Sequence, residues 1–128
     1  MKLRKLDDCN SRRQQIANIY LKELKGVEQI VLPYVPEWAE PVWHLFVIRT
    51  PKRDALQKHL EQNGIQTLIH YPVPPHKQQA YQEMNHLTLP ITESIHQEVL
   101  SLPMGPTMKK EETMEIVGTI KVFYKNDK

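Results

Sequence analysis

Three prolines within four residues, Pro72, Pro74 and Pro75, divide this chain more firmly than any other feature. Each fixes its own φ near −65° and withholds a backbone donor. Each also drives the preceding residue toward extended backbone. No regular element runs through such a stretch, and a loop this stiff loses little entropy on ordering. Just ahead of it, Gln66 to Ile69 reads as a short strand that stops at His70 and Tyr71, and the loop carries a second imidazole at His76. Polar aromatic groups at a strand end, where loops often build ligand sites, suggest a binding surface. From the residues alone, a binding role and a structural role for His70 and Tyr71 stand level.

The 128 residues suit one domain, 1–128, with 40% hydrophobic content for its core. A helix is expected from about Asp7 to Lys25, because Cys9, Ile16, Ala17, Tyr20 and Leu24 fall at helical spacing and Gly26 follows as a stop. The pattern extends back toward Leu3 and Leu6, so the chain begins inside or close to a helix, or at a frayed end. Val27 to Leu32 looks extended, and Trp43 to Arg49 is the strongest strand candidate, apolar on nearly both faces. Thr50-Pro51 is placed to open the next helix, with Ala55, Leu56, His59 and Leu60 as its stripe and Gly64 as its end. After the proline loop, a short helix starts between His76 and Tyr81. Another, capped by Thr92, runs to Glu98, and Val99 to Leu102 is a strand closed by Pro103. A last helix from Lys110 to Tyr124 offers Met114, Val117, Ile120 and Phe123 as its buried stripe. The sum is an α/β chain of the α+β type, with a small mixed or antiparallel sheet of three to four strands packed against helices.

Composition narrows the function. Seventeen basic residues against fifteen acidic ones give a net charge of +2, without the clustered basic face of a nucleic-acid binder. No apolar run reaches the roughly 20 residues of a membrane span, and no apolar leader follows the basic start. One cysteine, Cys9, forms no internal disulfide and sits on a helix stripe, so a cytoplasmic setting is expected. The four glycines are scattered, which excludes a glycine-rich phosphate loop, and Ser11, Ser94 and Ser101 lack a nucleophile signature. A metal held by His70 and His76 would need further ligands that the sequence does not supply. His44 reads as a core or sheet-face residue, His59 and His96 as helix-surface residues, and Trp38 and Trp43 as packing groups. Arg49 and Arg53 read better as ion-pair or helix-start residues than as phosphate ligands.

Several blocks taken together carry a resemblance. They are Leu6-Asp7 through Asn10, Arg12 and Arg13; Trp43 to Arg49 with Arg53, Leu56, Leu60 and Gly64-Ile65; Ile69-His70-Tyr71-Pro72 with Pro74 and His76; Gln79-Ala80-Tyr81; Leu89-Pro90 with Thr92-Glu93; and Val99 to Met104. In order and spacing the set resembles the C-terminal domain of the DegT/DnrJ/EryC1/StrS family of pyridoxal-phosphate-dependent sugar aminotransferases, over about residues 3 to 124. The resemblance implies the small domain of a fold-type I aminotransferase, with residues 1–25 as the linking helix. It implies transfer of an amino group from glutamate to a nucleotide-linked keto-deoxysugar, closest to members acting on deoxythymidine-diphosphate sugars. It also implies that the cofactor lysine and the main phosphate contacts belong to a large domain that this sequence lacks. None of the twelve lysines stands in the expected surroundings, so no catalytic or cofactor-binding residue is assigned here. The chain is expected to be inactive and cofactor-free by itself. Its partners are then the large domain, or a chain carrying it, and the nucleotide-sugar. Self-association is expected, with Leu3, Leu6 and Cys9 as candidate contacts. His70, Tyr71 and His76 are the expected substrate-binding residues. The rival reading is a stand-alone, non-catalytic binding or regulatory module of the same fold.

Overall fold

A computed structural model describes residues 2–126, with side chains from Arg4 onward. Helix α1 spans Leu6–Glu23 after a 3₁₀ turn at Lys2–Lys5. Strand β1 is Phe46–Arg49, α2 is Arg53–Gln62, α3 is Pro90–Glu98, β2 is Val99–Leu102 and α4 is Lys110–Lys125. Two 3₁₀ segments, Pro75–Lys77 and Gln79–Met84, follow the proline loop.

β1 and β2 pair antiparallel, with Phe46 opposite Leu102 and Ile48 opposite Leu100. These four side chains are buried, and α1, α2 and α4 pack over them and on one another. Successive strand residues face opposite ways, so Val47, Arg49, Val99 and Ser101 belong to the outer face. Tyr20 of α1 lays its ring on Phe46 at a centroid distance of 4.9 Å and donates its hydroxyl to the Pro103 carbonyl at 2.9 Å. Burial pushes that phenol's pKa upward. Across the core, Thr50 Oγ1 and the Tyr124 hydroxyl pair at 2.6 Å, which satisfies two polar groups that would be costly to bury alone.

Among the described residues the sheet, expected to have three to four strands, has two. Val27 to Leu32 turns back on itself through the Ile30 N–H and the Val27 carbonyl, and only Val31 bridges Arg49 before Pro33 withdraws the next donor. On the other edge only Leu68 bridges Ser101, because Tyr71, at φ +56°, and Pro72 end the extended path. β1 likewise begins at Phe46 and not at Trp43. Trp43 sits at φ +53°, which breaks the extension, and His44 is exposed instead of lying on the sheet.

Helix ends and stripes also differ in detail. α2 starts at Arg53, with Thr50 Oγ1 accepting the Lys52 N–H and Gly64 closing the end at φ +75°. Leu56 and Leu60 are buried, whereas Ala55 is exposed and His59 is half-buried, its ring against Phe123. α3 starts at Pro90 and not at Thr92, and the Leu89 N–H donates to the Glu93 carboxylate at 3.0 Å. α4 is rotated from the expected stripe. Thr113, Ile116, Val117, Ile120 and Tyr124 are buried, Met114 is exposed and Phe123 only partly buried. Trp38, expected to pack, is 87% exposed, while Trp43 is half-buried with its ring 5.3 Å from Phe46.

The rotated stripe of α4 makes a direct prediction. Ile116→Ala should destabilise the chain by about 2–5 kcal/mol, the range for truncating a buried Ile or Leu. Met114→Ala should cost no more than about 0.5 kcal/mol, as surface changes usually do. Urea unfolding followed by circular dichroism separates the two.

Candidate functional site

The loop after Ile69 leaves the edge of β2, where Leu68 bridges Ser101, and is tied to β2 and to α3 by hydrogen bonds. His70 Nδ1 pairs with Ser101 Oγ at 2.8 Å, which fixes the ring against β2. Tyr71 follows, 75% exposed, and its carbonyl accepts a hydrogen bond from His96 Nδ1 of α3. His76 turns inward. It is 3% exposed, and its Nε2 donates to Glu93 Oε1 at 2.9 Å. Lys77 Nζ donates to the Asn85 and Leu87 carbonyls at 3.0 and 2.8 Å, and Gln78 Nε2 donates to the Val73 carbonyl at 3.1 Å. Through these contacts the stretch from His70 to Leu87 is bound to itself and to α3.

α3 is in turn bound to the body of the fold. Arg49 donates from Nε and Nη2 to Glu98 Oε2 at 3.1 and 2.8 Å, and Ser94 Oγ donates to Glu98 Oε1 at 2.7 Å. The Thr50 N–H donates to the Glu98 carbonyl at 3.0 Å, and Arg53 Nη1 donates to the His96 carbonyl at 2.8 Å. Both arginines are therefore engaged inside the chain, as their sequence context suggested.

The three residues singled out in the sequence do not converge on one point. His70 borders a cleft of about 360 Å³ shared with Leu45, Thr67, Leu68, Ser101 and Met104. Tyr71 points to solvent, and His76 faces Glu93. Sequence reasoning missed Glu93, Ser101 and His96, the partners that place them. Only the periodicity of α3 and the polar residue inside the apolar run Val99 to Leu102 hinted at these. Two imidazoles held apart by separate partners do not form a metal site. Among the described residues no cluster of three or more His, Cys, Asp or Glu is positioned for one.

Pyridoxal phosphate, implied by the resemblance, is held in such enzymes through a lysine Schiff base. Every lysine with a described side chain, from Lys5 to Lys125, is exposed. The residues present do not fit that role. Among the described residues no helix is long and apolar enough to cross a membrane. Of the proposed self-association contacts, Leu6 is exposed and Cys9 half-buried, while the Leu3 side chain lies outside the described residues.

Two carboxylates carry a pH signature. The Leu89 N–H and then the His76 ring hold the Glu93 carboxyl below its ordinary range. The Ser94 hydroxyl and then Arg49 do the same for Glu98. A carboxyl with a lower pKa folded than unfolded stabilises the fold above its unfolded pKa of about 4.3, and that stabilisation disappears as pH falls through the folded value. The urea midpoint of the chain should therefore drop as pH is lowered below about 4.3. The E93Q/E98Q double variant should show a shallower drop, measured by the same titration at several pH values. An identical slope in both proteins would show that the two contacts do not contribute.

Comparison with known proteins places the chain. The family model described as the DegT/DnrJ/EryC1/StrS aminotransferase family matches residues 1–121. The chain is 49% identical over 120 residues to the dTDP-3-amino-3,6-dideoxy-alpha-D-galactopyranose transaminase of Aneurinibacillus thermoaerophilus, covering 94% of this chain and 33% of that protein. It is 47% identical over 123 residues to the erythromycin biosynthesis sensory transduction protein EryC1 of Saccharopolyspora erythraea, covering 94% of this chain and 34% of that protein. The crystal structure of S. venezuelae DesV in complex with a ketimine intermediate superimposes with a TM-score of 0.91 at 40% identity, over 95% of this chain and 33% of that one. The chain thus spans about a third of the length of the relatives it matches. With the match running through nearly every element described above, the chain belongs to the DegT/DnrJ/EryC1/StrS aminotransferase family.

Proposed function

We propose that this chain is the small lobe of a pyridoxal-phosphate-dependent aminotransferase that moves an amino group from glutamate onto a nucleotide-linked keto-deoxysugar. In this reading the cofactor chemistry belongs to a large lobe outside the sequence, and the chain alone is catalytically silent. The observation that carries the reading is the match, across 94% of the chain, to a relative named as a dTDP-3-amino sugar transaminase. The exposed surface amines support the assignment of the cofactor lysine elsewhere. The partner is then the large lobe, in the same polypeptide or a separate one, and the isolated chain associates with itself through apolar surface that the large lobe would cover.

Within the chain the proposed substrate-facing element is the loop from His70 to His76. Tyr71 supplies an exposed ring that can stack and a phenol that can donate or accept. His70, at the edge of the 360 Å³ cleft, offers its second ring nitrogen to a sugar or phosphate oxygen. His76 serves the same loop from within, as a brace against Glu93.

The test is a titration of the ¹⁵N-labelled chain with thymidine diphosphate, followed by NMR. Amide shifts should centre on His70, Tyr71 and neighbours up to His76. Shifts confined to residues distant from them would refute the site. Addition of pyridoxal phosphate and glutamate to the same sample should give neither the absorbance of a lysine-bound cofactor nor transamination, and the appearance of both would refute the silent-lobe reading.

A further inference from the structure

Tyr71 stands in a conformation that its own chemistry disfavours. At φ +56° it lies in the left-handed region, where the Cβ of an L residue crowds the following carbonyl. The residue is 75% exposed, so packing of the side chain does not hold it there. The restraint comes from the backbone's neighbours. His70 before it is pinned to Ser101, Pro72 after it has a fixed φ, and the Tyr71 carbonyl itself accepts from His96. His96 is well founded for this task. Its own carbonyl takes Arg53 Nη1 at 2.8 Å, and two residues on, Glu98 is bound to β1 by Arg49 and to the following turn by the Thr50 N–H. Strained residues persist where their surroundings over-determine them, and such places gather at functional sites.

We infer that His96 is a positioning residue, whose Nδ1–H locks Tyr71 in the left-handed conformer that turns the phenol toward the nucleotide-sugar. The inference deepens the substrate-facing role of the loop and rests on it. His96 itself makes no contact with the ligand. Without the restraint, a tyrosine visits the left-handed region about one part in ten or less. The binding-competent fraction falls accordingly, and the apparent affinity falls with it by about tenfold.

The experiment uses the whole ¹⁵N-labelled chain and three versions of residue 96. His96→Phe keeps a ring without a donor, and His96→Asn restores an N–H near the Nδ1 position. A strong intraresidue amide-to-Hα NOE at Tyr71 reports positive φ, and the amides of Leu100 and Ser101 report the intact sheet. Wild type and His96→Asn should show that NOE, and His96→Phe should lose it. In a thymidine diphosphate titration, His96→Phe should bind about tenfold more weakly and His96→Asn should stay near wild type. If His96→Phe fails to fold, His96→Leu, which also lacks a donor, takes its place. A retained NOE or unchanged affinity in the donor-less variant overturns the inference, as does loss of the NOE in His96→Asn. A wild-type loop that ignores thymidine diphosphate overturns the substrate reading instead, and the NOE comparison then decides the positioning role by itself.

Discussion

A pair of four-residue strands is too small to stand in water by itself, and this fold is arranged around that shortage. Phe46, Ile48, Leu100 and Leu102 give the β1–β2 pair one wholly apolar face. Three helices, α1, α2 and α4, close over it and contribute Tyr20, Leu56, Leu60, Ile116, Val117 and Ile120 to the same core, joined by Leu24 just past the end of α1. Burial of this kind contributes about 25 cal/mol per Å² of apolar area removed from water, which is the favourable term that the short ladder cannot supply. The helices therefore take one face, the segments at Val31 and Leu68 flank the two edges, and the second face is left to the rest of the chain. That second face bears Arg49 and Ser101, and both are anchor points for the segment between α2 and β2.

The consequence is a long connection that is irregular yet restrained. From Ile65 to Leu89 the chain has no α-helix and no ladder strand, but its polar groups find partners at short intervals. Three histidines act as pins. His70 goes to β2, His76 to Glu93 at the start of α3, and His96 reaches back from the end of α3 to Tyr71. Glu93 accepts the Leu89 N–H and the His76 ring on one oxygen, so a single carboxylate both starts α3 and secures the loop. A loop already held in one conformation avoids much of the ordering cost that binding would otherwise incur.

The sequence made some of this legible and concealed the rest for definite reasons. β2 could be read to the residue, since Val99 to Leu102 is apolar or small and Pro103 stops it. α1 could be read because Ile16, Ala17 and Tyr20, followed by Leu24, form an apolar stripe at helical spacing. The stripe of α4 was misread by part of a turn, because Thr113 and Tyr124 carry hydroxyls that look like surface groups. In the fold, Tyr124 pairs with Thr50, and the Thr113 hydroxyl donates to the Lys109 carbonyl. The two missing strands, Val27 to Leu32 and Gln66 to Ile69, have the right residue types but keep only one bridge each. Pro33 and the Tyr71–Pro72 corner cut them short, and local patterning does not weigh such interruptions. The loop's histidines were visible as chemistry, but their partners lie 17 to 31 residues away, beyond the reach of any periodicity. Membership of the aminotransferase family came from ordered blocks, and the structural match agrees with it over nearly all of the chain.

The central claim is that the loop from His70 to His76 is fixed in the chain before any ligand arrives. Backbone ¹⁵N relaxation tests it most directly. The amides of His70, Tyr71, Val73 and His76 should show order parameters near those of Phe46 to Arg49, about 0.85 for rigid backbone. Values below about 0.6 across those residues, the range of flexible segments, would contradict it.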